Sequence, residues 1–273
     1  MLNLLRGLVR EWQRYHVSQL AAAITYYALF SLPPILVIAI AIAGMVFGRA
    51  AAEGEILEQV RGMLGPDGEI LVRGIIENAF NVRSNLITPL IGVVILIFGA
   101  SGAFNALRRA LNTIFEATHT RKFRLLRFLQ GRLLAILSVI VMGMLLVLSL
   151  AISTALSLFA NVMDNFIPFD LLNLRLMNEL VAFIVLTLMF AALYKFLPDS
   201  RASWRDVFRG ALLASLLYNL TKFAISYYLG ISSVGTIYGA AGTVMLLMLW
   251  IYISVQILLL GAIYIKVQAR KRG

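Results

Sequence analysis

Apolar residues in this chain come in long unbroken runs rather than in alternation. The first run carries no formal charge from Tyr15 to Gly48. The six apolar runs fall at about 21–48, 86–107, 133–160, 180–197, 210–229 and 243–265. A helix of about 20 apolar residues crosses the hydrocarbon core of a bilayer. In hydrocarbon a single run must satisfy its own backbone, so runs of this length are read as helices. The pattern predicts an all-α, polytopic membrane protein. It has one membrane domain over residues 1–273, with six transmembrane helices.

The polar stretches between the runs have their own periods. Within residues 1–20, Leu2, Leu5, Leu8, Val9 and Trp12 share one side of a helix, and Arg6, Arg10 and Arg14 stand four apart on another. This predicts an amphipathic helix at the membrane surface, basic side toward lipid phosphates. The first span contains Pro33-Pro34. Each proline removes an amide donor and crowds the carbonyl four residues back, so Leu29 and Phe30 lose their helical partners. The first span is therefore expected to break there, with its open turn against protein or a wet cavity.

Residues 49–85 read as a helical hairpin of two short amphipathic helices, Glu55–Leu64 and Glu69–Phe80, hinged at Gly65-Pro66-Asp67-Gly68. Glu55-Ile56-Leu57 recurs as Glu69-Ile70-Leu71. The connection at 161–178 is short and oily, and the link at 230–242 is uncharged and rich in glycine and serine.

Composition agrees with the pattern. The chain is 61% hydrophobic and 14% charged, with a mean hydropathy of +0.89. Soluble domains run nearer half apolar and about a quarter charged. The net charge of +11 changes the picture only through its distribution. Lys and Arg collect in cytoplasmic loops. Of the 24 here, 18 fall in the N-terminal segment, the 108–132 and 195–209 connections and the C-terminal tail. Five fall in 49–85 and 161–178, and Lys222 lies inside a span. The imbalance places both termini in the cytoplasm and makes the 49–85 hairpin extracytoplasmic. No signal cleavage is expected after Ala50-Ala51-Ala52, since five more spans follow. The absence of cysteine removes disulfides and thiolate chemistry.

Lys222 is the candidate centre. A charge inside a span usually faces protein or water and marks function. Ser215, Asn219, Lys222 and Ser226 follow a helical i, i+4, i+7, i+11 pattern, so the fifth span has one polar stripe. Lys222 lies roughly 10 Å from the outer end of its helix, within reach of Glu179 at the end of the fourth span. The alternative is a snorkelling lysine paired with Glu179 for structure alone. Tyr26, and Tyr252 with Gln256 on the sixth span, are candidates to join the stripe. Ser149, Ser153 and Ser157 are read as small packing contacts.

Arg6, Arg10, Arg14, Arg108 and Arg109 are candidate contacts for anionic lipid headgroups. No nucleic-acid partner is expected, because the basic 108–132 connection offers no acidic metal cluster for cleavage. No metal or cofactor is expected either. The two histidines, His16 and His119, stand on unrelated segments. Glu116-x-x-His119 is half of a di-iron pattern without its second half. No phosphate-binding G-x-x-x-x-G-K-[ST] loop occurs, and no serine–base pair is legible.

Four segments carry a family resemblance: Leu20–Pro34 (LAAAITYYALFSLPP), Phe104–Phe115 (FNALRRALNTIF), Tyr194–Pro198 (YKFLP) and Tyr238–Ala262 (YGAAGTVMLLMLWIYISVQILLLGA). In order and spacing they resemble the YihY/BrkB membrane proteins. The resemblance implies six transmembrane helices in a bacterial inner membrane. It also implies transport or lipid translocation rather than the ribonuclease BN activity once attached to the family. One departure is Ile263 after Gly261-Ala262, where members often carry Glu, so no proton relay is carried over.

The function expected from the sequence is a transporter or flippase for an anionic or amphipathic solute, a lipid among the candidates, without ATP hydrolysis. The alternatives are a non-transporting scaffold that recruits partners through 49–85 and a membrane-embedded enzyme. The scaffold ranks second.

Overall fold

The chain turns sharply only where its sequence lets it, and those turns set the architecture. The computed structural model describes residues 2–80, 102–117, 171–200, 202–231 and 234–270. Every described element is a helix. They are α1 (Leu2–Arg14), α2 (Val17–Phe47), α3 (Arg49–Phe80), α4 (residues 102–114), α5 (Leu171–Phe196), α6 (Trp204–Ile231) and α7 (Val234–Arg270).

α1 and α2 are divided at His16, which takes the left-handed conformation (φ 47°, ψ 49°). The two parts of α2, Val17–Pro33 and Ile35–Phe47, are bent by 46°. The bend falls at the proline pair, as the missing amide donors require. α2 ends at Gly48 (φ 84°). α3 is helical from Arg49 onward apart from Gly65 (φ 74°, ψ −172°), the expected hinge.

Two predicted boundaries move. The helix of α3 begins six residues before Glu55, and residues 234–242 of the glycine-rich link belong to α7. In a bilayer a helix satisfies its own backbone, which outweighs the modest cost of glycine within it. Likewise α5 begins at Leu171, so residues 171–178 of the oily connection are helical.

The main core joins α1, α2, α4, α5, α6 and α7. Small residues let the helices approach: Ala21, Ala110, Ala211, Ala214 and Ala262 are almost wholly buried. A second cluster packs Ala52, Ile56 and Leu57 from one half of α3, and Val72 and Ile76 from the other, against Ala39, Ile40 and Ala43 of α2. α1 docks on the last turns of α7. Gly7 lies beside Val267, and Glu11 meets Lys266 and Arg270. The N-terminal helix and the end of α7 therefore occupy the same end of the molecule. Within α1, Leu8 is buried but Val9 is 58% exposed, so Val9 leaves the apolar side assigned to it.

The outside is apolar where a soluble protein would be polar. Leu180, Ile184 and Leu188 form an exposed stripe on α5, and Leu212, Leu216, Leu220 and Phe223 form another on α6. By length and composition Glu179–Phe196 and Val244–Arg270 are able to cross a membrane, and bent α2 makes a third if its two parts form one span. α6 is helical over the predicted fifth span but less apolar, interrupted by Asn219 and Lys222. The predicted span 133–160, most of 86–107, and Arg121–Arg132 lie outside the described residues.

Candidate functional site: the polar face of α6

The stripe on α6 runs from a buried end at Ser215 to a partly exposed one at Lys222. Ser215 is fully buried and its Oγ has no hydrogen-bond partner. Asn219 Nδ2 donates to the Ser215 carbonyl at 2.9 Å. Lys222 Nζ meets Glu179 Oε1 at 3.3 Å, the lysine side chain 25% exposed and the glutamate 52%. The exposed leucine stripe lies on the adjoining side of the same helix, with Asn219 one turn from Leu216 and two turns from Leu212. Glu179 sits just where the chain enters the apolar part of α5, so the pair has one half-exposed partner and one more sheltered one. Ser226 lies on the same helix, but its side chain is outside the described residues.

Two further candidates fare differently. Gln256 is half-buried on α7. Tyr26 is 57% exposed and meets Tyr27 and Phe30 edge-on. It stands on the outward side of α2, not with the stripe. The break at Pro33-Pro34 is covered on one side, where Leu29 and Leu32 pack on Leu247 and Trp250. On the other side Phe30 is 51% exposed. Ser31 Oγ donates to the Ala28 carbonyl at 2.9 Å.

The arginines also divide. Arg6, Arg10 and Arg109 are exposed. Arg108 pairs with Asp199 at 2.7 Å and is 15% exposed, so its guanidinium holds the fold together rather than standing free for a headgroup. Asn112 completes this link. Its Nδ2 donates to Asp199 Oδ2 at 2.9 Å, and the Asp199 backbone N–H donates to its Oδ1 at 2.8 Å. Arg14 is exposed but paired with Glu116 at 3.1 Å.

A second polar cluster was not legible in the sequence. Tyr15 OH donates to Glu116 Oε1 at 2.6 Å, Lys266 reaches the same carboxylate at 2.9 Å, and Lys266 also donates to the Tyr15 hydroxyl. The Tyr15 and Lys266 hydrogen bonds hold Glu116 well below the usual carboxylate range, at about 2. Burial, and then the neighbouring Glu116 carboxylate, push the Tyr15 hydroxyl up. Glu116 itself takes a left-handed backbone (φ 51°). The sequence singled out Glu116 only as half of a metal pattern with His119, which lies outside the described residues. Among the described residues no group of three or more acidic or histidine side chains is placed to hold a metal.

The segments that carry the resemblance interlock. Tyr194 is fully buried, and its OH donates to the Leu258 carbonyl at 2.7 Å. Gly261 lies directly under that ring, where a β-carbon would collide with the hydroxyl. Lys195 Nζ donates to the Ala202 carbonyl at 2.7 Å and lies 5.3 Å from the Trp204 ring. Asp199, just past Pro198, ties to Asn112 and Arg108 as above.

Lipid-facing leucine stripes around an interior of alanine, glycine and one polar helix face define an α-helical membrane protein. The chain belongs to the family described as Virulence factor BrkB, which it matches over residues 8–272. It is similar to a UPF0761 membrane protein of Alcanivorax borkumensis, 27% identical over 256 residues, 93% of this chain and 58% of the relative. It is also similar to UPF0761 membrane protein MS0032 of Mannheimia succiniciproducens, 30% identical, covering 92% and 84%. The Bacillus subtilis relative YfkH, 24% identical and covering 95% and 93%, is named as ribonuclease-like. The chain thus spans 58% of the length of the Alcanivorax relative but most of the other two. No solved structure matches.

Proposed function

We propose that the protein is a multi-pass protein of the bacterial inner membrane. It moves an anionic or amphipathic solute, an anionic lipid foremost, without ATP hydrolysis. In this reading it has six crossings, both termini are cytoplasmic and α3 is extracytoplasmic. It is a carrier, not a ribonuclease or other enzyme. The observation that carries the reading is Lys222. It is a cation within the predicted fifth span, 25% exposed and held at 3.3 Å by a carboxylate that is itself half exposed.

A pair of this kind is poised for exchange. An incoming phosphate or carboxylate displaces Glu179 from Lys222, and Asn219 and Ser215 offer polar groups one and two turns along the same face. The bend in α2, beside the Leu247–Trp250 cluster, keeps one wall of that region irregular, as at many transport sites. The exposed Arg6, Arg10 and Arg109 gather headgroups at the basic end.

The scaffold reading asks for an exposed apolar patch on α3. Among its described large apolar side chains only Ile70 is strongly exposed.

The test is reconstitution with fluorescent phosphatidylglycerol in one leaflet. The native chain should speed its movement to the other leaflet. Lys222→Met should abolish that gain while inserting normally, and Lys222→Arg should keep part of it. A Lys222→Met variant as active as the native chain removes the reading.

A further inference from the structure

Three aromatic rings line up on the surface where α6 begins. Trp204 is 48% exposed, and Phe196 and Phe208 on either side of it are exposed too. The ring centroids are 6.0 Å apart from Phe196 to Trp204 and 5.9 Å from Trp204 to Phe208. Lys195 Nζ lies over the Trp204 ring and adds a fixed cation to the group. Arg205 and Arg209 are exposed in the same two turns of α6. Among the described residues neither forms an ion pair. Asp206, the acid between them, is buried.

The depth of this group in the molecule is set by α7. The two helices run antiparallel, with Gly210 against Ile265 and Tyr218 against Trp250. Arg205 and Arg209 are therefore level with the last turns of α7, at the basic end. An exposed apolar stripe runs away from them along α6. Arg209 is followed by Leu212, Leu216 and Leu220 at steps of three and four, so cation and leucines share one broad face. All three leucines are more than half exposed. From Arg209 to Leu220 is about 16 Å along the helix, close to half the ~30 Å hydrocarbon core. The stripe has the depth of one leaflet.

The side chains say what covers this face. Helices that meet within a bilayer approach through small residues. Those of this part of α6, Gly210, Ala211 and Ala214, are buried inside the protein. The outward face is made of bulky leucines, which suit acyl chains. Its basic end sets Trp204 beside cations, the composition of a bilayer boundary. Two arginines without a protein carboxylate call for an anionic headgroup.

We infer that this face of α6 holds one resident anionic phospholipid. Its phosphate sits between Arg205 and Arg209, its glycerol backbone lies beside Trp204, and one acyl chain follows Leu212, Leu216 and Leu220. The lipid is a fixed part of the folded protein and not cargo, so the inference does not rest on the transport reading.

The chain has three tryptophans, Trp12, Trp204 and Trp250. Trp12→Phe with Trp250→Phe leaves Trp204 as the reporter in the full chain. The protein is placed in phosphatidylethanolamine vesicles with a small fraction of lipid brominated near the top of one acyl chain. Bromine quenches indole fluorescence at contact. Brominated phosphatidylglycerol should quench Trp204 at a lower mole fraction than brominated phosphatidylcholine. Each arginine at headgroup level is worth about a fivefold preference. Arg205→Gln or Arg209→Gln should therefore lower the ratio about fivefold, and the double variant should bring it near parity. Lys271→Gln with Arg272→Gln removes the same charge from the C-terminal tail and should leave the ratio unchanged. In the chain with all its tryptophans, native mass spectrometry should count one more bound phosphatidylglycerol than in the double Arg205→Gln, Arg209→Gln variant. Equal quenching by the two lipids, or a preference that survives the double variant, overturns the site. So does a fall as large with the tail variant, an unchanged lipid count, or a Trp204 that neither lipid quenches.

Discussion

Close packing at the basic end hangs on single atoms. Gly261 has room for a hydrogen under the Tyr194 hydroxyl and not for a methyl group. Gly261→Ala must push the ring off a carbonyl it now binds, and overpacking of this sort costs about 1–3 kcal/mol. Tyr194→Phe forfeits one hydrogen bond, about 1 kcal/mol. The apparent unfolding midpoint in detergent should therefore fall more for Gly261→Ala than for Tyr194→Phe. The Tyr15–Glu116–Lys266 cluster gives a pH prediction. Glu116 is depressed in the folded chain from 4.5 to about 2. Its contribution to stability is complete above about 4.5 and is lost as pH falls from there through about 2. Acid titration of the unfolding midpoint should show that loss in the native chain and not in Glu116→Gln. The carboxylate is half exposed, so added salt should shrink the effect. At this scale the Lys222–Glu179 pair was legible, because a lone charge in an apolar run has few partners within reach. The Tyr15 cluster was not, since it needs three segments brought together across 101 and 251 residues.

Among the helices, the proline pair was readable because its consequence is local: two donors vanish and α2 bends by 46°. The same locality made Gly65 a reliable hinge. Helix starts were harder, because the glycines of 230–242 argue for a loop only if water is there to take the freed backbone groups. The bend also positions the outer half of α2 under α3, through Ala39, Ile40 and Ala43. Replacing both prolines by alanine restores the missing donors and should straighten α2, drawing that seam apart. Amide hydrogen exchange should then speed up over residues 52–76 of α3 and stay unchanged over α7 residues 257–265. Unchanged protection of α3 would mean that the bend does not position it. The face assignment on α1 failed at Val9 for a related reason. Helical spacing names a side, but docking on α7 decides which part of that side is covered.

Taken whole, the molecule has a basic end, where both terminal helices and the Arg108–Asp199 link lie, and an opposite end closed by α3. Lys and Arg concentrate in the segments at the basic end, and the arginines described in α3 pair with its own glutamates. Which helices would wall the polar face of α6 was not foretold, because periodicity gives a face and not its neighbour. Tyr26 shows the limit: a polar residue in the first span, placed outward on α2. The transport account stands or falls on whether the inner face of α6 is wet. Single cysteines at each position from 212 to 225, in an otherwise cysteine-free chain, can be reacted in vesicles with a small water-soluble thiol reagent. The account predicts reactivity with a helical period, strongest at positions 215 and 222 and absent at 212, 216, 220 and 223. Protection of all positions alike, or a maximum on the leucine stripe, would contradict it.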